Sequence, residues 1–181
     1  FPKVKQGNYE TIKLPSEFIT VAGTPGMDVK RDNENAIAIE FCDLLLGGEL
    51  TRDRHNYTAA DMVYKYYGFK DGNPWNHAVQ FKTNITDRDN FDPNTGFTAE
   101  YHFIIKQKFD YSTLEAVVER PDLWDVSING TSIRPEEGQW WLDREFAVFR
   151  IGDLVKTGVN TISLKVSPMK IHAEIEPVYI T

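Results

Sequence analysis

From Tyr101 to Ile175 apolar and polar residues alternate with period two, and this pattern leaves few folds open to the chain. Tyr101, Phe103 and Ile105 alternate with His102 and Lys106, with Ile104 as the exception. Leu114, Ala116 and Val118 follow, interrupted by Arg120-Pro121-Asp122. Val126 and Ile128 then lead into Asn129-Gly130, with Ile133 beyond. An Asn-Gly pair between apolar alternations marks a hairpin, because both turn residues must take positive φ. The same alternation predicts strands at Phe146–Ile151, at Ile162, Leu164 and Val166, and at Ile171, Ala173 and Ile175. No helical segments separate them, so the reading is an all-β jelly-roll β-sandwich.

One or two short helices interrupt it. Thr58-Ala59-Ala60-Asp61 resembles a capping box with Asp in the Glu position, Met62, Val63, Tyr66 and Tyr67 make one apolar face, and Gly68 is placed as the stop. Asp153–Gly158 predicts a single turn. Residues 1–34 read as a linker or N-terminal strands, with short strands around Ile12, Leu14 and Ile19–Val21, ahead of one domain at 35–181. A chain beginning at Phe1 and stopping just after Ile180 reads as a piece of a longer protein or a processed form.

Composition narrows the function classes. With 20 Lys and Arg against 27 Asp and Glu, the chain carries a net charge of −7. This argues against nucleic acid as a partner, since neutralising phosphates needs clustered cations. The single cysteine, Cys42, excludes a disulfide scaffold and a cysteine-based zinc site. It lies in an apolar alternation with Ile37, Ile39 and Phe41, where a buried inert thiol is expected. No apolar run approaches the roughly 18 residues of a membrane-spanning helix, so no membrane partner is expected.

Few local motifs carry chemistry. Gly-x-Ser-x-Gly, Gly-rich phosphate loops and His-Glu-x-x-His are missing, so nothing local supports an enzyme. His172, Glu174 and Glu176 alternate with Ile171, Ala173 and Ile175, which reads as the solvated face of an amphipathic strand. The same face is the starting point for a remote alternative, a small stand-alone hydrolase. Asp87, Asp89 and Asp92 crowd a turn-rich stretch with Asn94 and are candidate ligands for a structural calcium ion, which takes about six to eight oxygens. An acidic loop of Asx-turns accounts for them equally well. Carboxylates such as Glu136, Glu137, Asp143 and Glu145 are too numerous for any pair to be diagnostic.

The tryptophans point further. Trp75 sits in the turn Gly72-Asn73-Pro74-Trp75-Asn76-His77, Trp124 precedes the Asn-Gly hairpin, and Trp140-Trp141 lie between Gly138 and Asp143. Adjacent tryptophans on a strand face opposite ways, so at most one of the last pair belongs to a core. Loop aromatics beside polar side chains suit sugar recognition, with the ring stacking on C–H groups while polar groups bind hydroxyls. The plain structural reading is that each Trp plugs the edge of the core.

Leu114–Trp124, Val126-Ser-Ile-Asn129-Gly130, Trp140-Trp141-Leu-Asp143 and Gly158-Val-Asn160-Thr-Ile162-Ser-Leu164 together resemble the galactose-binding-like jelly rolls of large bacterial glycoside hydrolases, including the family 2 sugar-binding domains. Asn73–Gln80, Ser167-Pro168-Met169 and Ala173–Ile180 are similar to the β-sandwich portion of the family 106 α-L-rhamnosidase-like group. The resemblance implies an accessory, non-catalytic domain with periplasmic or extracellular location, because the catalytic carboxylates of such enzymes lie in a separate barrel. Its implied partners are carbohydrate, bound weakly, and the adjacent domains of the parent enzyme. Trp75, His77, Arg120 and Trp141 are the expected ligand-binding residues, with no cofactor beyond the possible calcium. The alternative is a purely structural spacer between domains.

Overall fold

The computed structural model describes residues 35–181, which form one unit; the strands expected around Ile12, Leu14 and Ile19–Val21 lie outside the described residues. The chain runs β1 (Ile37–Ile39), β2 (Phe41–Leu46), β3 (Glu49–His55), α1 (Asn56–Tyr66), β4 (Phe97–Ile105), β5 (Glu115–Glu119), β6 (Asp125–Ile128), β7 (Thr131–Ser132), β8 (Phe146–Arg150), β9 (Gly158–Val166) and β10 (Val178–Ile180). These make a sandwich of two antiparallel sheets, four-stranded in the order β1-β10-β5-β8 and six-stranded in the order β3-β2-β4-β9-β6-β7.

Period two decides which side chains meet. Along β4 and β9 the inward residues Phe97, Ala99, Tyr101, Ile162, Leu164 and Val166 are buried, while Thr98, Glu100, Thr161 and Ser163 point outward. The four-stranded sheet answers with Ala116, Val118, Ala147, Phe149 and Val178 in the same core. Burying a residue such as Leu44, Ile128 or Ile162 contributes about 1.5–3 kcal/mol, and this repeated burial holds the sheets face to face. The Asn129-Gly130 hairpin forms as expected between β6 and β7, with φ of 49° and 84°. Behind it the inward Asn160 is fully buried, its amide satisfied by Asn129 Nδ2 at 2.9 Å, by Lys156 N at 2.9 Å and by the Lys156 and Gly158 carbonyls.

Two local expectations need correction. The helix begins at Asn56 rather than after Thr58: His55 Nδ1 accepts from Tyr57 N at 3.3 Å and caps it, so α1 runs straight out of β3. Ile171, Ala173 and Ile175 are buried, but their segment is not a strand. Ile171 N donates to the Asp89 carboxylate at 2.8 Å and Ala173 N to Lys170 O at 2.9 Å, so no ladder partner takes these groups. The bond to Lys170 O closes a turn, so alternate burial arises here in irregular chain laid on the core, without ladder pairing. The turn expected at Asp153–Gly158 forms slightly earlier, over 152–154, closed by Leu154 N and Val155 N to Ile151 O at 2.9 and 3.2 Å, and Gly158 already opens β9.

Candidate functional site

Where β5 ends, Glu119 gives way to Arg120, whose φ of 52° and ψ of 62° are left-handed. Such a conformation costs a non-glycine residue roughly 1–2 kcal/mol, and the following Pro121 further favours extended backbone at this position. The surroundings impose it: Arg120 N donates to Glu145 O at 2.7 Å and Arg120 O accepts from Leu123 N at 3.1 Å, opening a short turn at Pro121–Leu123. Arg120 lines a small pocket with Glu119, Trp124, His172, Glu174 and Glu176. Its Nε is buried with no hydrogen-bond partner.

The opposite wall is irregular chain fastened at several points. Asn73, 3% exposed, donates from Nδ2 to Glu174 Oε1 and accepts from Trp75 N at 3.0 Å through Oδ1. Asn73 N donates to Asp61 Oδ1 at 3.2 Å, which ties the loop to α1. Gly72 has φ of 83°, and a Cβ there would sit 1.5 Å from the same Asp61 oxygen, so only glycine permits this approach. The indole Nε1 of Trp75 and the Tyr64 hydroxyl both donate to Ile171 O, at 2.7 and 2.8 Å. These bonds turn His172 and Glu174 toward Arg120, and the imidazole stacks on Trp75 at 4.9 Å and 27°.

Three carboxylates against one guanidinium leave the pocket acidic. Burial, then the neighbouring Glu174 and Glu119, push the Glu176 carboxyl from its ordinary value of 4.5 up to about 7. Glu119 is raised by burial and by Glu174, partly opposed by Arg120. The cavity is about 60 Å³, while sites that enclose a small molecule are usually about 300 Å³ or more. It therefore admits a hydroxyl-bearing edge or a water or two, but not a whole sugar ring.

The four residues expected to bind ligand divide. Arg120 lines the pocket, and Trp75 backs it from beneath His172 as a half-buried support rather than an open platform. Trp141 lies half-buried against Tyr179, with ring centroids 5.0 Å apart, on the outer face of the four-stranded sheet. Trp141 is not among the residues that line the pocket, although Tyr179 beside it is raised by burial and then by Glu176 and Glu119. His77 is exposed and faces a separate hollow with Lys70, Asp71 and Arg88. The reading of His172, Glu174 and Glu176 as a solvated strand face is corrected, since all three line the pocket and are partly buried. Glu119 was missed, and as the polar end of an ordinary strand it gives no local signal.

The loop acids are engaged one by one. Asp87 pairs with Lys82, Asp89 Oδ1 accepts from Ile171 N, and Asp92 Oδ1 accepts from Asn94 N at 2.9 Å. Among the described residues, no three His, Cys, Asp or Glu side chains are grouped to hold a metal ion. Cys42 is buried, its thiol pushed up to about 12 by burial and then by Asp43. Among the described residues, no helix is long and apolar enough to cross a membrane.

The chain matches no family model, no curated protein and no solved structure. Any assignment therefore rests on the geometry.

Proposed function

We propose that residues 35–181 are a non-catalytic carbohydrate-binding module accompanying an exported glycoside hydrolase, and that the Arg120 pocket takes the hydroxyl edge of a sugar. The carrying observation is the buried, unpartnered Arg120 Nε beside carboxylate acceptors. A buried donor without a partner costs about 1–3 kcal/mol. A hydroxyl resolves it, since one oxygen accepts from Arg120 and donates its proton to a carboxylate. Strain at Arg120 supports the reading, because backbone outliers concentrate at functional sites. The small volume speaks against a glycosidic bond being cleaved there.

The test is an amide NMR titration with neutral oligosaccharides, rhamnose-containing ones included. Saturable shifts at Arg120 and His172 are expected. They should vanish in Arg120→Gly, which removes the guanidinium and relaxes the backbone. Equal binding by the variant sinks the site. A spacer role is favoured by a different observation: Trp140 and Leu142, 53% and 64% exposed, stand on the loop beside the four-stranded sheet. Self-association that is abolished by Trp140→Ser and indifferent to sugars would choose that role.

A further inference from the structure

The outer face of the six-stranded sheet carries a second concavity, a groove of about 680 Å³. Its floor follows from register. Thr98, Lys165 and Asp125 are directly opposed across β4, β9 and β6, and Ser163, Ser127 and Ser132 form the next row across β9, β6 and β7. All six have side chains on the face away from the core, and Arg134 follows β7 at the groove's rim. The three inter-strand steps from β4 to β7 span about 14 Å, room for a short oligomer rather than one ring. Trp124 lines both this groove and the Arg120 pocket.

Its electrostatics are unusual for this chain. Acids outnumber bases 27 to 20, yet neither Lys165 nor Arg134 forms an ion pair with a described residue. Asp125 pairs in register with Lys165 without a salt bridge between them. Lys165 and Arg134, neither held in an ion pair, outnumber the one acid of the lining, Asp125, over a floor of hydroxyls. This matches a polyhydroxylated ligand with negative substituents, with Glu100, opposite Ser163 on the same face, bounding the site on the β4 side. Nucleic acid would need a longer cationic track. We propose that this groove binds an anionic oligosaccharide, whose carboxylate or sulfate groups meet Lys165 and Arg134 while its hydroxyls bond the serine row and Asp125. The inference rests on the carbohydrate-binding reading but uses none of the pocket's charged side chains.

The full 181-residue chain is titrated with an oligogalacturonate, with its methyl ester, and with a sulfated galactan oligosaccharide, following amide shifts and heat. An acidic oligomer should shift Ser127, Ser163 and Lys165, and added salt should weaken it. The methyl ester should bind about tenfold or more weakly, the worth of one charge-assisted hydrogen bond. Whether the uronate or the sulfated arm binds tells which anion is the source, and either supports the groove. Lys165→Ser with Arg134→Ser should abolish the effect in a protein whose melting is unchanged, whereas Arg120→Gly should keep it. Equal binding of acid and ester, or acid shifts confined to the Arg120 pocket, overturns the groove and leaves the pocket standing. Silence to every neutral and acidic oligosaccharide overturns both.

Discussion

The two concavities flanking Trp124 are built in opposite ways. The Arg120 pocket is made by irregular chain: a left-handed arginine, a loop fastened to α1 and a turn-containing segment ahead of β10. The groove is made by regular ladders, and its groups stand where antiparallel register puts them. Irregular chain can bury charge, so the carboxyls of Glu119 and Glu176 are raised. A sheet face leaves its charges in water, so the groove offers cations open to a partner. Burial sets chemistry in one region and presentation sets it in the other.

The largest expected effect tests whether the ladder side is the stable one. Asn160→Ala removes the amide that satisfies Lys156 and Gly158 within the core and should cost about 3 kcal/mol, read as a lower urea midpoint. Gly72→Ala should cost about 2 kcal/mol by strain at positive φ and by the clash with Asp61. It should abolish sugar shifts at Arg120 while the amide spectrum of β4 and β9 stays native. A larger loss for Gly72→Ala than for Asn160→Ala would reverse the ranking of the two regions.

A third expectation concerns pH. Glu176 holds its proton more tightly folded than unfolded, so its contribution to stability is full below about 4.5 and is lost as pH rises to about 7. Thermal melting should fall across that window. Glu176→Gln should flatten the profile without levelling it, because Glu119 is raised in the same direction. An unchanged profile would place the charge burden elsewhere. The smallest stability effect belongs to Arg120→Gly, where relief of backbone strain offsets lost side-chain contacts. Its melting temperature should stay within a few degrees of the parent, and a marked drop would mean that the guanidinium braces the fold.

Much of the ladder was legible from local pattern. The strands at Tyr101–Ile105, Val126–Ile128 and Phe146–Arg150, and the Asn129-Gly130 turn, follow from period two and from turn chemistry that a single residue pair imposes. Ile171, Ala173 and Ile175 show where that signal ends. Alternation marks which side chains are buried, but pairing depends on a neighbouring strand that no local pattern names. Arg120 and Trp75 were legible as polar and aromatic residues at turns. His77 carried the same signal and faces another hollow.

The sequence alone determined a two-sheet β-sandwich, a buried inert Cys42 and the faces of each paired strand, because backbone periodicity and solvent exclusion act over a few residues. Only the tertiary structure decided that Glu119, Arg120, His172, Glu174 and Glu176 share one pocket, that Trp75 supports it and that Trp141 stays outside. Those residues come from distant stretches of chain, and the site closes through hydrogen bonds that span 101 positions, Asn73 to Glu174, and 96 positions, Trp75 to Ile171. Charge burial, and with it the raised carboxyl of Glu176, exists only once that long-range closure is made.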